Sequence, residues 1–220
     1  MKNVFLCSKY AHMQGIKNII FDLGGVILNI DYKKTNDAFV SLGAENFHEL
    51  YSQFKGSNLF NDLETGHVTN EEFLAEMHKH LPESVTDEQI IAAWNAMLLD
   101  FPLQRLQLLQ QLRQQYNLYL LSNTNAIHLD YFNKILMDTR GIPSLAEFFD
   151  KAYYSHLMGY RKPGTEIYQV VLDENGLKAG ETVFIDDTLP NIEGAKKVGI
   201  HTIHLEAPKT ILDIFKPLAV

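Results

Sequence analysis

The feature that most constrains the fold is the distribution of short apolar runs along the chain. Five of them read as buried strands: Asn18 to Phe21, Leu118 to Leu121, Lys151 to Tyr154, Val183 to Ile185 and Thr202 to Leu205. Runs this short and this continuously apolar belong to strands covered on both faces. Helical stretches intervene, the alternation that gives an α/β fold with a parallel sheet. Between the first and second runs lie nearly a hundred residues without a convincing strand, far more than one crossover helix uses. An inserted helical domain is therefore expected at 33–100, and residues 1–32 and 101–220 are expected to form the core domain.

Within the insertion, Thr69-Asn70-Glu71-Glu72 and Thr86-Asp87-Glu88-Gln89 each match a capping box, with apolar residues following at helical spacing. Phe73, Leu74 and Met77, and likewise Ile90, Ile91, Trp94, Met97 and Leu98, are expected to face a helical-bundle core and carry no chemistry. The insertion should begin near Tyr32 and end near Asp100, with Leu103 to Gln115 forming a helix that leads back into the sheet. Residues 1–15 fit no strong helix or strand pattern and read as a flexible leader, with Met13 as an alternative start.

Bulk properties narrow the function. An apolar share of 46% with 21% charged residues describes a packed globular chain rather than a disordered one. Nineteen basic against twenty-seven acidic residues leave a net charge of −8, which opposes attraction to nucleic acid and to anionic membrane, so a small-molecule partner is expected. The lone Cys7 excludes an internal disulfide and suits a reducing compartment. The apolar stretch Ile19 to Ile30 is broken by Asp22, Gly24, Gly25 and Asn29, so it cannot span a bilayer, and residues 1–15 lack the apolar segment of a signal peptide. A cytoplasmic location is the expectation. Oligomeric state has no signature, and the nine histidines fall at no spacing of a metal site.

Polar residues gather where the strands end, which in an open parallel sheet is where ligands bind. Asp22 follows Asn18-Ile19-Ile20-Phe21 and precedes Gly24-Gly25, at a strand tip where it is either a reactive carboxylate or a turn cap. Leu121-Ser122-Asn123-Thr124-Asn125 sets a hydroxyl and amides at the next tip, suited to phosphate oxygens but equally to turn chemistry. Lys162, in Tyr160-Arg161-Lys162-Pro163, could neutralise phosphate or remain a surface lysine. Asp186-Asp187 after Phe184-Ile185 is an acid pair whose repulsion calls for a cation or hydrogen bonds; magnesium with oxygen ligands is one solution, and capping the helix near Leu189-Pro190-Asn191 is the other. Acid, hydroxyl, lysine and acid pair arrive in the order that a phosphoryl-transfer crevice requires.

The same four segments, Ile20-Phe21-Asp22-Leu23-Gly24-Gly25-Val26, Leu121-Ser122-Asn123, Arg161-Lys162-Pro163 and Ile185-Asp186-Asp187 with Asn191, resemble the motifs of haloacid dehalogenase-like phosphatases. Ser122 to Asn125, Arg161-Lys162-Pro163 with Ile167-Tyr168, and Asn191-Ile192-Glu193-Gly194-Ala195 are similar to the branch acting on α-glucose 1-phosphate. The resemblance implies a Rossmann-like core with a helical cap that closes over a small phosphorylated substrate. It implies that Asp22 is the nucleophile, forming an aspartyl-phosphate, and a Mg2+ ligand. Gly24 would bind the metal through its carbonyl, Asp187 through its carboxylate, and Asp186 directly or through water. Ser122 and Asn123 would bind the phosphoryl group, and Lys162 would balance the charge of Asp22 and phosphate.

One position departs from the wider pattern. Most phosphatases of the superfamily carry a second aspartate two residues after the nucleophile as general acid and base, and this chain has Gly24. Loss of such a group costs roughly 10²- to 10⁴-fold in rate, while a glycine carbonyl serves a metal as well as an aspartate carbonyl does. Two further readings stand beside the phosphatase: a metal-free dehalogenase, which the acid pair disfavours, and a feebly catalytic phosphate-binding or regulatory protein.

Overall fold

The computed structural model describes residues 4–6, 15–44, 47, 49 and 58–217. Its centre is a sheet of five strands, β2 (Asn18–Phe21), β3 (Asn117–Ser122), β4 (Lys151–Tyr154), β5 (Thr182–Asp186) and β6 (His201–His204), in the order β4-β3-β2-β5-β6. Every adjacent pair is parallel. Strand β2, the first of the five in sequence, therefore lies at the middle, and its four residues are all buried.

Period-two alternation divides the strand side chains between two cores. Ile19, Phe21, Leu118, Leu120, Val183 and Ile185 point to one face, where Leu106, Leu109 and Leu112 of α5 (Leu103–Leu112) and Phe132 and Leu136 of α6 (Ala126–Arg140) cover them. Ile20, Tyr119, Leu121 and Phe184 point to the other, against Ile167, Tyr168 and Val171 of α8 (Thr165–Asn175) and Ile192 and Ala195 of α9 (Leu189–Lys197). Each such apolar side chain contributes about 1.5–3 kcal/mol by leaving water. A charge on either face of β2 would forfeit that. On the second face α8 begins at Thr165, and α9 begins at Leu189, where the sequence places it, with proline in its first turn.

Helices α1 (Tyr32–Ser41), α2 (Leu59–Glu64), α3 (Asn70–His78) and α4 (Asp87–Asn95) pack around their own apolar cluster, which includes Phe39, Phe60, Leu63, Phe73, Met77, Ile90 and Trp94. Both capping boxes form: Thr69 and Glu72 exchange side-chain and backbone bonds, as do Thr86 and Gln89. The chain enters and leaves this cluster through two segments that pair with each other. Asp31 N donates to Met97 O at 2.9 Å, and Leu99 N donates to Asn29 O at 3.0 Å.

The structure corrects four sequence expectations. Val4–Leu6 is a strand, β1, pairing antiparallel with β7 (Phe215–Pro217), where no strand pattern was read; the remainder of the expected leader except Gly15 lies outside the described residues. Helix α5 stops at Leu112 rather than Gln115. Strand β6 starts one residue early, at His201, and ends at His204; Leu205 marked the expected end because it is buried, although it lies just past the strand. Met97 and Leu98 lie beyond the end of α4: Leu98 packs against the sheet core and Met97 lines a cleft. Among the described residues, no helix is long and apolar enough to cross a membrane.

Candidate active site

A parallel sheet sends all its strand ends to one edge, and the polar residues singled out in the sequence meet there. Asp22 follows β2, Ser122 closes β3, and Asp186 closes β5 with Asp187 next to it. A cleft of about 770 Å³ opens above them, lined by Asp22, Gly24, Ser122, Asn123, Lys162 and Asp187 among others. Lys162 reaches into its floor from the loop before α8.

Lys162 is the hub. It is 1% exposed, its Nζ donates to Asp22 Oδ1 at 2.6 Å and to Asp186 Oδ2 at 2.8 Å, and it lies 5.3 Å from the centroid of the Phe184 ring. An ammonium so buried is tolerable only when paired. Burial alone would lower its pKa, but Asp186 and Asp22 beside it hold it above the ordinary lysine value.

Asp186, fully buried, is saturated with hydrogen bonds. Its Oδ1 accepts from Thr188 N at 2.7 Å and Asn191 Nδ2 at 3.2 Å, while Oδ2 accepts from Asn191 Nδ2 at 3.0 Å as well as from Lys162. Those bonds fix Lys162 from below. They also leave Asp186 poorly placed to contact a cation directly, which favours the water-mediated alternative of its two expected roles.

The side chain of Asn123 also holds Lys162. Its Oδ1 accepts from Lys162 N at 2.9 Å and its Nδ2 donates to Lys162 O at 3.0 Å, so the amide clamps the lysine's backbone from both sides. Asn123 thereby positions Lys162, and its backbone N–H and the second Nδ2 hydrogen are further donors. Ser122 sits beside it, 3% exposed, with a 3.4 Å contact from its Oγ to Asn123 O. The loop is steadied by Ser155, whose Oγ accepts from Thr124 N at 2.9 Å and donates to Thr124 O at 3.0 Å.

The acids form a site suited to a cation. Carboxylate oxygens of Asp22, Asp186 and Asp187 come within 4.8 Å of one another, and Lys162 is the cation paired with two of them. Three carboxylates against one ammonium leave the floor net negative. Burial pushes the Asp22 carboxyl up to about 7, with Lys162 pulling against the rise and Asp186 adding to it; burial, then Asp186, also raises Asp187. Burial and the neighbouring Asp186 carboxylate drive both acids toward their neutral forms, and a cation held between them would favour the charged forms. The oxygen donors suit a hard divalent ion, with Asp22 and Asp187 as the carboxylates best able to hold it.

Gly25 explains why the turn after Asp22 is glycine-rich. Its φ is +72°, and a Cβ there would lie 2.1 Å from Asp187 Oδ2. Asp187 itself is steadied by His204, whose Nε2 lies 3.0 Å from its carbonyl oxygen. Gly24 lines the cleft next to Asp22 but, unlike Gly25, is not in the left-handed region. Sequence reasoning singled out neither Ser155 nor His204 for a supporting role, since both act through residues remote in the chain.

Comparisons with known proteins point to one family. A D-ribitol-5-phosphate phosphatase of Bacteroides thetaiotaomicron is 32% identical over 191 residues, covering 87% of this chain and 92% of that protein. A HAD family enzyme of the same organism, solved in complex with magnesium and inorganic phosphate, superposes with a TM-score of 0.82 at 38% identity, covering 89% of this chain and 96% of that one. A predicted HAD-like family hydrolase of Porphyromonas gingivalis gives 0.81 at 32% identity, covering 90% and 95%. The family described as haloacid dehalogenase-like hydrolase matches residues 16–199, a span that takes in strands β2 to β5, helix α9 and every residue of the acid cluster. The chain belongs to the haloacid dehalogenase-like hydrolases.

Proposed function

We propose that this hydrolase is a magnesium-dependent phosphatase acting on small phosphate monoesters through an aspartyl-phosphate on Asp22. The observation that carries the reading is the buried Asp22–Lys162–Asp186 array with Asp187 beside it, at the sheet edge where ligands collect. Asp22 attacks phosphorus, the P–O bond to the ester oxygen breaks, and that oxygen leaves with a proton drawn from solvent. Water then attacks the phosphorus of the aspartyl-phosphate, releasing inorganic phosphate and restoring the carboxylate. Bound magnesium would supply positive charge shared by Asp22, Asp187 and the phosphate oxygens.

The chain's own residues handle the remaining charge. Lys162, held by Asn123 and Asp186, offsets negative charge that moves from the nucleophile onto the phosphoryl oxygens. Ser122 and Asn123, which line the cleft, donate to the phosphoryl group, and the Gly24 carbonyl serves as a third protein oxygen for the ion. Residues 33–100 act as a cap that excludes water and contacts the rest of the substrate. The relative named above acts on an open-chain polyol phosphate, whereas the sequence motifs resemble enzymes of α-glucose 1-phosphate. A carbon skeleton bearing several hydroxyls is common to both, and we place the substrate in that class.

A phosphate-ester panel assayed with magnesium and with chelator tests the reading. Phosphate release that requires magnesium is the expected result. Release unaffected by chelation, or halide release from 2-haloacids in place of phosphate release, would refute it.

A further inference from the structure

The cleft carries a second charged pair that phosphoryl transfer does not use. Arg161 directly precedes Lys162, yet the two side chains diverge: that of Lys162 is 1% exposed in the floor, and that of Arg161 is 34% exposed at the wall. Arg161 Nε donates to Oε2 of Glu64 at 2.8 Å, and Nη2 lies 2.7 Å from the same oxygen. Glu64 ends α2, so this bond joins the inserted helices to the sheet domain across the cleft that both residues line.

The backbone around Glu64 is held close to the opposite wall. Two residues on, Gly66 has φ +73°, and a Cβ added to it would lie 2.3 Å from the carbonyl oxygen of His156 in α7 (Ser155–Met158). The turn after α2 thus rests directly on the α7 backbone. Because both guanidinium contacts end on one oxygen, Glu64 Oε1 and Arg161 Nη1 make no hydrogen bond among the described residues. An acceptor and a donor remain available beside the cleft.

We propose that Glu64 and Arg161 form the specificity-determining subsite, binding hydroxyl groups on the chain esterified to the phosphate. The proposal rests on the phosphatase reading and supplies its substrate class. A hydroxyl donates and accepts at once, so one group can donate to Glu64 Oε1 while accepting from Arg161. The pair is neutral overall, which suits an uncharged chain. A second anionic group would face Glu64, and an alkyl chain would strip water from both polar groups without replacing its hydrogen bonds. Ile30, Trp94, Met97 and Pro190 line the same cleft and provide apolar surface for the C–H faces of such a chain.

The test compares kcat/KM for ribitol 5-phosphate and pentyl phosphate, chains of equal carbon number differing in their hydroxyls, with an aryl phosphate as a third ester, all with magnesium. Wild type should prefer the polyol ester by on the order of 10²-fold or more. Glu64→Gln and Arg161→Met should each reduce that ratio about tenfold or more, chiefly through KM, in proteins whose melting temperature shows them folded. A wild-type ratio near one, measured while the aryl ester is hydrolysed, would overturn the subsite and leave the phosphatase reading standing; so would a ratio preserved in both variants. Absence of phosphate release from all three esters would overturn the phosphatase reading and the subsite with it.

Discussion

Replacing His128 by phenylalanine should make stability less sensitive to acid. His128 belongs to α6 and is buried, its ring stacked on Trp94 at 5.2 Å and 9°, and its Nδ1 bonds to Asn95 Oδ1 at 2.8 Å. Asn95 and Trp94 lie on α4, so the contact joins the inserted helices to the sheet domain. Burial lowers the His128 pKa from 6.5 to about 3. The sign follows from proton counting: below pH 6.5 the unfolded chain takes up a proton that the folded protein refuses until about pH 3, so the native state loses stability as the pH falls through that window.

The loss is about 1.4 kcal/mol per pH unit, or roughly 2 kcal/mol by about pH 5. Phenylalanine retains a ring against Trp94 but abandons Asn95 Oδ1 in the interior, at a cost of about 1–3 kcal/mol that does not depend on pH. Urea unfolding should therefore show His128→Phe clearly less stable than wild type near pH 7.5, with the gap closing by roughly 2 kcal/mol at about pH 5. A stability gap that is the same at both pH values would mean that His128 is protonated, or solvated, within the fold. The double variant with Asn95→Leu should recover part of the cost at neutral pH, since the unpartnered oxygen is then gone.

Three substitutions probe the site itself. Asp22→Asn should leave at most a few per cent of phosphate release in a folded protein, and a folded mutant with substantial turnover would remove Asp22 as nucleophile. Gly25→Ala should abolish magnesium-dependent activity and lower the melting temperature, because the φ of +72° and the 2.1 Å approach to Asp187 Oδ2 both oppose a side chain; wild-type magnesium affinity in this variant, read by calorimetry, would contradict that geometry. Gly24→Asp should fold, since its φ is ordinary and the atoms nearest its Cβ would be those of the flexible Ile30 side chain, Cδ1 at 3.2 Å and Cγ2 at 3.6 Å. It should accelerate an alkyl ester on the order of tenfold while changing an aryl ester little, and equal effects on both would show that leaving-group protonation is not what Gly24 withholds.

The elements legible in the sequence are those decided locally. The run of β2 is buried at all four positions, and the two capping boxes are closed over four residues, so neighbours in the chain carry the signal. The meeting of Asp22, Ser122 and Asp186 was legible for a related reason: each ends a strand, and a parallel sheet brings strand ends to one edge whatever the loops do. Burial without pairing misled the reading of β6, because Leu205 is apolar for its contact with the core although the strand ends before it.

Tertiary structure decided the rest, where partners lie far apart in sequence. β1 exists through pairing with Phe215–Pro217 at the other end of the chain, and three residues cannot announce a strand when their partner is that remote. The amide of Asn123 was legible as a polar group at a strand end, but its clamp on the Lys162 backbone, 39 residues away, is set by packing. Arg161 and Glu64 lie 97 residues apart, and only the approach of α2 to the loop before α8 sets them across one cleft. The sequence by itself determined which reactive groups stand at the sheet edge, because strand periodicity and strand ends are local properties. Which of those groups face substrate and which hold one another in place depended on the three-dimensional approach of distant segments, since a hydrogen bond is set by distance in space rather than by separation along the chain.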